Sequence, residues 1–170
     1  MKTNLFIVGT IKAATTSLYH YLKRSESIYL PKIKELHYFS DVKSLADDKE
    51  EFNPSVKQHS RVIKTLNEYN SLFPFESENY AYYADCSPTY LSDCNAPKKI
   101  FEYNPDAKIV IILRHPVDRL ISHYLMNVNR GAEERDLIDA VNCDLAKRNQ
   151  QLFLDNKYVE LGMYGEQISR

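Results

Sequence analysis

Two short stretches carry residue types suited to holding a phosphate ester without a metal. In LFIVGTIKAATTSLYHYL, residues 5–22, an apolar run stops at Gly9 and a helical pattern follows Ala14, with Lys12, Thr15, Thr16 and Ser17 at the junction. The first N–H groups of a helix lack intrahelical partners and sit at the positive end of its dipole. The amides of Ala13, Ala14, Thr15, Thr16 and Ser17 therefore form a ready anion site, with Lys12 as a mobile charge at its rim. The Walker pattern fails here, because position 14 is alanine and the lysine precedes the turn. The competing reading is an ordinary turn capped by threonine, with Lys12 in solvent.

In KIVIILRHPVDRLISHY, residues 108–124, Arg114 follows the strongest apolar run and Pro116 opens a helix. Ser122 falls about two turns into that helix, and Arg119 is expected to face solvent. A forked guanidinium plus a hydroxyl suits a second phosphate; a structural ion pair for Arg114 is the alternative. A nucleoside triphosphatase with a Walker B element would carry a metal-binding aspartate at the end of such a run. Together the two junctions point to a nucleotide with phosphates at both ends and no obligatory magnesium.

The elements that must hold these junctions follow from periodicity. LFIVG (5–9) and KIVIIL (108–113) read as strands buried on both faces of a parallel sheet, the second being the clearest in the chain. SIYLP (27–31) reads as a short strand stopped by proline, and YAYYAD (80–85) as an aromatic strand. Helical spacing joins Leu18, Tyr21 and Leu22, then Val62, Ile63, Leu66 and Tyr69, then Ile100 and Phe101 after Ala96. It continues with Val117, Leu120, Ile121, Tyr124 and Leu125 on one face, then Leu137, Ile138, Val141 and Leu145, with one more helix start after Gly162. Residues 41–58 read as a charged surface excursion. Strands alternating with helices predict an α/β fold, a three-layer sandwich with a mainly parallel central sheet and a P-loop-like phosphate-binding turn. Ligands of such sheets sit at the carboxyl ends of the strands, where both junctions fall.

Composition narrows the classes. With 170 residues, one domain spanning 1–170 is expected. Lys and Arg number 22 against 23 Asp and Glu, which gives no bulk attraction to nucleic acid or to an anionic membrane. The longest apolar run, Ile109 to Leu113, is too short to span a bilayer. A strand-like pattern from Asn4 or Leu5 leaves no room for a signal peptide. Three widely spaced cysteines (Cys86, Cys94, Cys143) fit neither a disulfide framework nor a zinc site, so free thiols and a cytoplasmic location are expected. Oligomeric state is not readable from these features.

KAATTSLYHYL, PKIKELHYF, DCSPTYL and KIVIILRHPVDRLISHY resemble, in the same order, motifs of the sulfotransferases that use 3'-phosphoadenosine 5'-phosphosulfate (PAPS). The likeness is to the bacterial and heparan-type carbohydrate branch, runs from about residue 4 to 131, and has a fainter echo in LGMYGEQI. It implies transfer of sulfonate from PAPS to a hydroxyl, less readily an amine, of a carbohydrate or small-molecule acceptor. Adenosine 3',5'-bisphosphate is then the product, and no metal is required. It implies that Lys12 to Ser17 form the 5'-phosphosulfate loop, with Lys12 stabilising the leaving oxygen. Arg114 and Ser122 would hold the 3'-phosphate. Glu35 would be the general base, with His37 two residues on; on an extended segment the two would share a face.

The residues alone leave other uses open: Glu35 paired with Lys32 or Lys34, and His37 as a core-edge histidine. Tyr38, Phe39 and Tyr90 are expected to pack against a flat acceptor, and Asp85 to orient a loop or touch the acceptor. Two departures stand out, Ala14 where the family usually has glycine and Cys86 where heparan-type relatives have lysine. Family members also continue through further helices and a loop over the 3'-phosphate, so the usual C-terminal portion is expected to be lacking here. The alternatives are a non-catalytic adenosine-bisphosphate-binding module, or an atypical P-loop kinase using Asp85 to hold magnesium.

Overall fold

The computed structural model of the chain describes residues 1–41, 63–77, 79–146 and 157–169. Val62 and residues 42–58 of the expected excursion lie outside the described residues. Four strands, β1 (Leu5–Gly9), β2 (Ile28–Tyr29), β3 (Tyr82–Cys86) and β4 (Lys108–Ile111), form one sheet in the order β2-β3-β1-β4. All three neighbouring pairs are parallel. Parallel neighbours need crossovers. Helices α1 (Thr15–Leu22), α2 (Leu66–Asn70) and α3 (Ala96–Tyr103) lie in the three connections. Helices α4 (Pro116–Asn129), α5 (Leu137–Ala146) and α6 (Tyr164–Ile168) follow β4. Among the described residues, no helix is long and apolar enough to cross a membrane.

Strand β1 explains the layering. All five of its residues are buried, and the first four alternate between two clusters as the pleat demands. Phe6 and Val8 join Leu36, Phe39, Tyr69 and Tyr90 on one face, whereas Leu5 and Ile7 join Tyr19, Leu30 and Ala84 on the other. Burying each such side chain is worth roughly 1.5–3 kcal/mol, so this strand anchors both layers. Its last residue must be glycine for a close approach: a Cβ on Gly9 would stand 2.6 Å from Leu91 Cβ, in the 3-10 turn Pro88–Leu91. That contact sets the height at which the loop after β1 leaves the sheet.

Four sequence expectations change on folding. The run 108–113 is not buried on both faces: β4 is an edge strand with one neighbour, and Ile109 (48% exposed), Ile111 and Leu113 are open. An apolar run alone cannot distinguish an edge strand from a central one. Helix α4 buries Arg119, His123 and Asn127, one polar stripe at i, i+4, i+8, while Val117, Ile121 and Leu125 are exposed. Its covered side meets the segment Tyr158–Gly162, where the Tyr158 carbonyl and hydroxyl offer polar partners. In α1, Tyr21 points outward and Tyr19 packs inward, its hydroxyl donating to the Pro31 carbonyl at 2.6 Å. Helix α2 starts at Leu66, later than Ile63, because Thr65 Oγ1 accepts the Glu68 amide at 3.2 Å and caps it there.

Candidate functional site

The loop after β1 turns sharply. Lys12 (φ 69°) and Ala14 (φ 62°) are both left-handed, and the Ala13 amide donates to the Thr10 carbonyl at 3.2 Å. A left-handed residue with a Cβ costs roughly 1–2 kcal/mol, so Ala14 pays a strain that glycine would avoid. Ala14 itself is the N-cap of α1 and makes no side-chain cap bond, so the competing reading of a turn capped by threonine does not hold. Thr15 is buried, while Thr16 and Ser17 are exposed in the first turn. With the cap position apolar, the first-turn amides are left to an incoming anion.

The second junction closes on the first. Arg114, three residues past β4, donates from Nη1 to the Lys12 carbonyl at 3.2 Å. Lys12 Nζ lies 3.4 Å from Met126 Sδ on α4. Lys12, Arg114 and Ser122 thereby line one cleft of about 540 Å³, together with Asp118, Asn129 and Arg130. That volume is within the usual range for a small-ligand site. Lys12 titrates below the usual lysine value, first because it is partly buried and then because Arg130 and Arg114 stand near it. Three cations against one carboxylate make the cleft short of negative charge. Arg130 and Asn129 were not singled out in the sequence, although 3.6-residue spacing from Ser122 through Met126 leads to them.

Glu35 and His37 sit on the loop that follows β2, and the end of β3 holds them. The Glu35 amide donates to the Cys86 carbonyl at 3.2 Å, and the His37 amide to Ser87 Oγ at 3.2 Å. His37 Nδ1 is 2.8 Å from Thr89 Oγ1, and His37 Nε2 is 3.7 Å from Glu35 Oε2. Lys34 forms an ion pair with the other Glu35 oxygen, which settles the choice between Lys32 and Lys34. The segment is not extended: Glu35 (φ 66°) and His37 (φ 54°) are left-handed, so a pair of turns rather than a pleat brings the side chains together. Cys86 joins the two halves of the site. Its carbonyl holds the Glu35 amide, and its thiol lies 3.8 Å from the Thr15 carbonyl at the start of α1. Burial pushes that thiol up to about 12, so it is inert. The ammonium of Lys34 acts electrostatically on both Cys86 and Asp85.

Two buried polar clusters support these halves. Behind the Glu35 loop, Asp85 is wholly buried and accepts hydrogen bonds from Ser87 Oγ (2.6 Å), Tyr90 (2.8 Å) and Tyr69 (3.1 Å). Desolvation raises its pKa to about 6, against the lowering effect of those three bonds. So enclosed a carboxylate touches neither an acceptor nor magnesium, which removes the ligand that a kinase reading required. Phe39 and Tyr90 are likewise core residues, 3% and 1% exposed, and cannot pack against an acceptor. Half-buried Tyr38 stacks on Tyr69.

Beneath α4 lies the second cluster. Arg119, expected in solvent, is fully buried, donates to the Tyr158 carbonyl and lies 3.4 Å from His123 Nδ1. Its Nε has no hydrogen-bond partner. His123 is driven down to about 3 by burial first, then by Arg119, Lys12 and Arg130. Asn127 donates to the Tyr158 hydroxyl at 2.9 Å, and that hydroxyl donates to Glu133 at 3.0 Å. Arg135 grips the same carboxylate through two bonds of 2.7 Å and holds it down to about 2.

Residues 4–158 match the sulfotransferase family. The chain is 26% identical over 125 residues to the membrane-associated sulfotransferase kil1 of Dictyostelium discoideum, which covers 74% of this chain and 23% of that protein. It is 27% identical over 124 residues to the heparan sulfate glucosamine 3-O-sulfotransferase 6 of Homo sapiens, covering 73% and 30% respectively. The crystal structure of a sulfotransferase from Alicyclobacillus acidocaldarius superposes with a TM-score of 0.80 at 28% identity, over 99% of this chain and 67% of that one. The chain therefore spans less than a third of the length of these two curated relatives.

Proposed function

The chain belongs to the sulfotransferase family, and on that premise we propose that it transfers sulfonate from PAPS to a hydroxyl, less readily an amine, of a carbohydrate or small-molecule acceptor. One observation carries the reading: Lys12, Arg114 and Ser122, far apart in sequence, converge on a cleft with a surplus of positive charge beside the uncapped start of α1. That donor set fits a bisphosphate nucleotide.

In this reading PAPS supplies the activated sulfonate and leaves as adenosine 3',5'-bisphosphate. The amides of Ala14, Thr15, Thr16 and Ser17 hold its 5' end, that of Ala13 being taken by the Thr10 carbonyl, and the Lys12 ammonium faces the oxygen that bridges phosphorus and sulfur. As that S–O bond breaks, its electron pair stays on the 5'-phosphate, where Lys12 and the amides offset the growing charge. The Arg114 fork and the Ser122 hydroxyl hold the 3'-phosphate, with Arg130 as a further cation. Glu35 accepts the proton of the acceptor hydroxyl as its oxygen bonds to sulfur, and His37 and Lys34 orient the carboxylate. No metal is assigned a step. Free Cys86, Cys94 and Cys143 support a cytoplasmic site of action.

The test has two parts. Adenosine 3',5'-bisphosphate without magnesium is expected to raise the melting temperature, and magnesium-ATP is not. Labelled PAPS is then supplied with heparan sulfate, simple phenols and amines, using wild type and Lys12→Ala. A loss of at least tenfold in transfer is expected for the variant, which corresponds to 1.36 kcal/mol of transition-state stabilisation. Binding with no transfer to any acceptor would sink the catalytic reading, and no binding would sink the donor site.

A further inference from the structure

Behind the Glu35 loop, one carboxylate organises three hydroxyls and, through them, three consecutive residues of that loop. Asp85 accepts from Ser87, Tyr90 and Tyr69. Ser87 Oγ in turn accepts the His37 amide at 3.2 Å, and the Tyr90 hydroxyl accepts the Phe39 amide at 3.4 Å. Between them, the Tyr38 ring stacks on Tyr69, with centroids 4.9 Å apart and planes 26° apart. A hydroxyl carries one proton; giving it to Asp85 leaves its lone pairs for the amide, so the carboxylate fixes the sense of both relays. An ionised carboxylate only accepts and can serve all three donors. A side-chain amide cannot, because its NH₂ must donate into the same space.

The loop so held is strained. Glu35 and His37 have φ of 66° and 54°, a conformation that non-glycine residues keep only where their surroundings over-determine it. We propose that Asp85 is a positioning residue for the Glu35–His37 pair: by orienting the Ser87 and Tyr90 hydroxyls it pins the loop amides and keeps both residues left-handed, with their side chains in contact. The proposal rests on the reading of Glu35 as the acceptor-side base. Asp85 itself touches no substrate, and the donor cleft is lined by other residues.

The experiment uses the full chain with D85N, S87A, S87T and E35Q, plus D85N combined with E35Q. Amide hydrogen exchange is followed at residues 36–41 and in α1, and sulfonate transfer from PAPS to heparan sulfate is measured in parallel. D85N is expected to speed exchange at His37 and Phe39 at least tenfold and S87A at His37 alone, with α1 unchanged, while S87T, which keeps the hydroxyl, restores the wild-type rate. In transfer, D85N is expected to lower kcat at least tenfold with KM for PAPS within twofold, and to add less than twofold in the E35Q background. Unchanged loop exchange, equally faster exchange in α1, a parallel loss of donor affinity, or an equal loss in wild type and E35Q would each overturn the proposal. If D85N does not fold, S87A against S87T decides by the same readouts. Full activity of E35Q overturns the reading of Glu35 and takes the catalytic half of this proposal with it. Loss of activity in E35Q with loop exchange untouched by D85N overturns the proposal alone.

Discussion

The two buried polar clusters solve opposite problems with unequal success. Around Asp85 an anion is buried among three hydroxyl donors, and every bond also ties down a neighbouring segment. Around Arg119 a cation is buried with a carbonyl and a neutral histidine, and one guanidinium nitrogen has no acceptor. Of the buried carboxylates nearby, Glu133 is taken by Arg135 and Tyr158, and Asp144, which accepts the Val159 amide, acts on Arg119 only electrostatically. A buried charge that is fully hydrogen-bonded holds its surroundings in one arrangement, whereas one short of partners is closer to neutral for stability. The first cluster stands behind the Glu35 loop. The second lies on the inner face of α4, whose other side presents Ser122 to the cleft shared with Lys12 and Arg114.

Removing the charges is the strongest way to break this contrast. Asp85→Ala strands three buried hydroxyls and is expected to cost about 3–5 kcal/mol in urea denaturation. Arg119→Met, which keeps volume and removes an incompletely satisfied cation, is expected to cost less than about 1.5 kcal/mol. Equal losses would show that the two clusters do not differ in kind.

Next comes pH. Asp85 has a folded pKa raised to about 6, so its contribution is fully present below the unfolded value near 3.9 and is lost as pH rises through 6. It faces Ser87, Tyr90 and Tyr69, with Lys34 acting at longer range. His123 is lowered to about 3. Its contribution is fully present above the unfolded value near 6.5 and is lost as pH falls through 3. Arg119, Lys12 and Arg130 supply the charge around it, and Tyr158 the ring contact. The two slopes oppose each other between about pH 4 and 6, each limited to about 1.36 kcal/mol per unit. Asp85→Asn is expected to make stability climb more steeply with pH in that window, and His123→Gln to make it level or fall. Glu133 adds a loss below about pH 4.5 in both variants, because Arg135 holds its folded value near 2. Denaturation midpoints at four or five pH values decide it; parallel curves would refute the opposite signs.

A smaller effect separates the two sides of α4. Ser122→Ala is expected to weaken adenosine 3',5'-bisphosphate about tenfold by calorimetry, the worth of one hydrogen bond to a charged group, while stability moves by less than about 0.5 kcal/mol. A drop in stability instead would mean that the outer face is structural like the inner one. The smallest change is Ala14→Gly, which relieves the left-handed Cβ but loosens the unfolded chain. A net gain of up to about 1 kcal/mol is expected, with donor binding equal or tighter. Destabilisation would show that the alanine is accommodated without strain.

Much of the positioning chemistry was readable along the chain. Runs such as LFIVG and the residues after them carry their meaning locally, since orphan amides and a lysine at a strand end need no distant partner to be recognised. Lys12, Arg114 and Ser122 could be named for that reason, and the family motifs supplied Glu35 and His37. The faces of the elements were not readable. In α4 the periodicity of Val117, Ile121 and Leu125 suggested a buried apolar stripe, yet Arg119, His123 and Asn127 are the covered ones, because what packs there is Tyr158 and its neighbours. The run 108–113 looked central and lies at an edge. Phe39 and Tyr90 looked like acceptor contacts and belong to the core.

By itself, then, the sequence determined the alternation of strands and helices, the two anion-seeking junctions and the family to which their motifs point, all of which depend on neighbours within a few residues. Tertiary structure alone decided which side of each element is covered, the left-handed turns at Glu35 and His37, and the three hydroxyls gathered on Asp85. Those features join residues from position 35 to position 90, and which surface is withdrawn from water at one segment is set by whatever distant segment arrives to cover it.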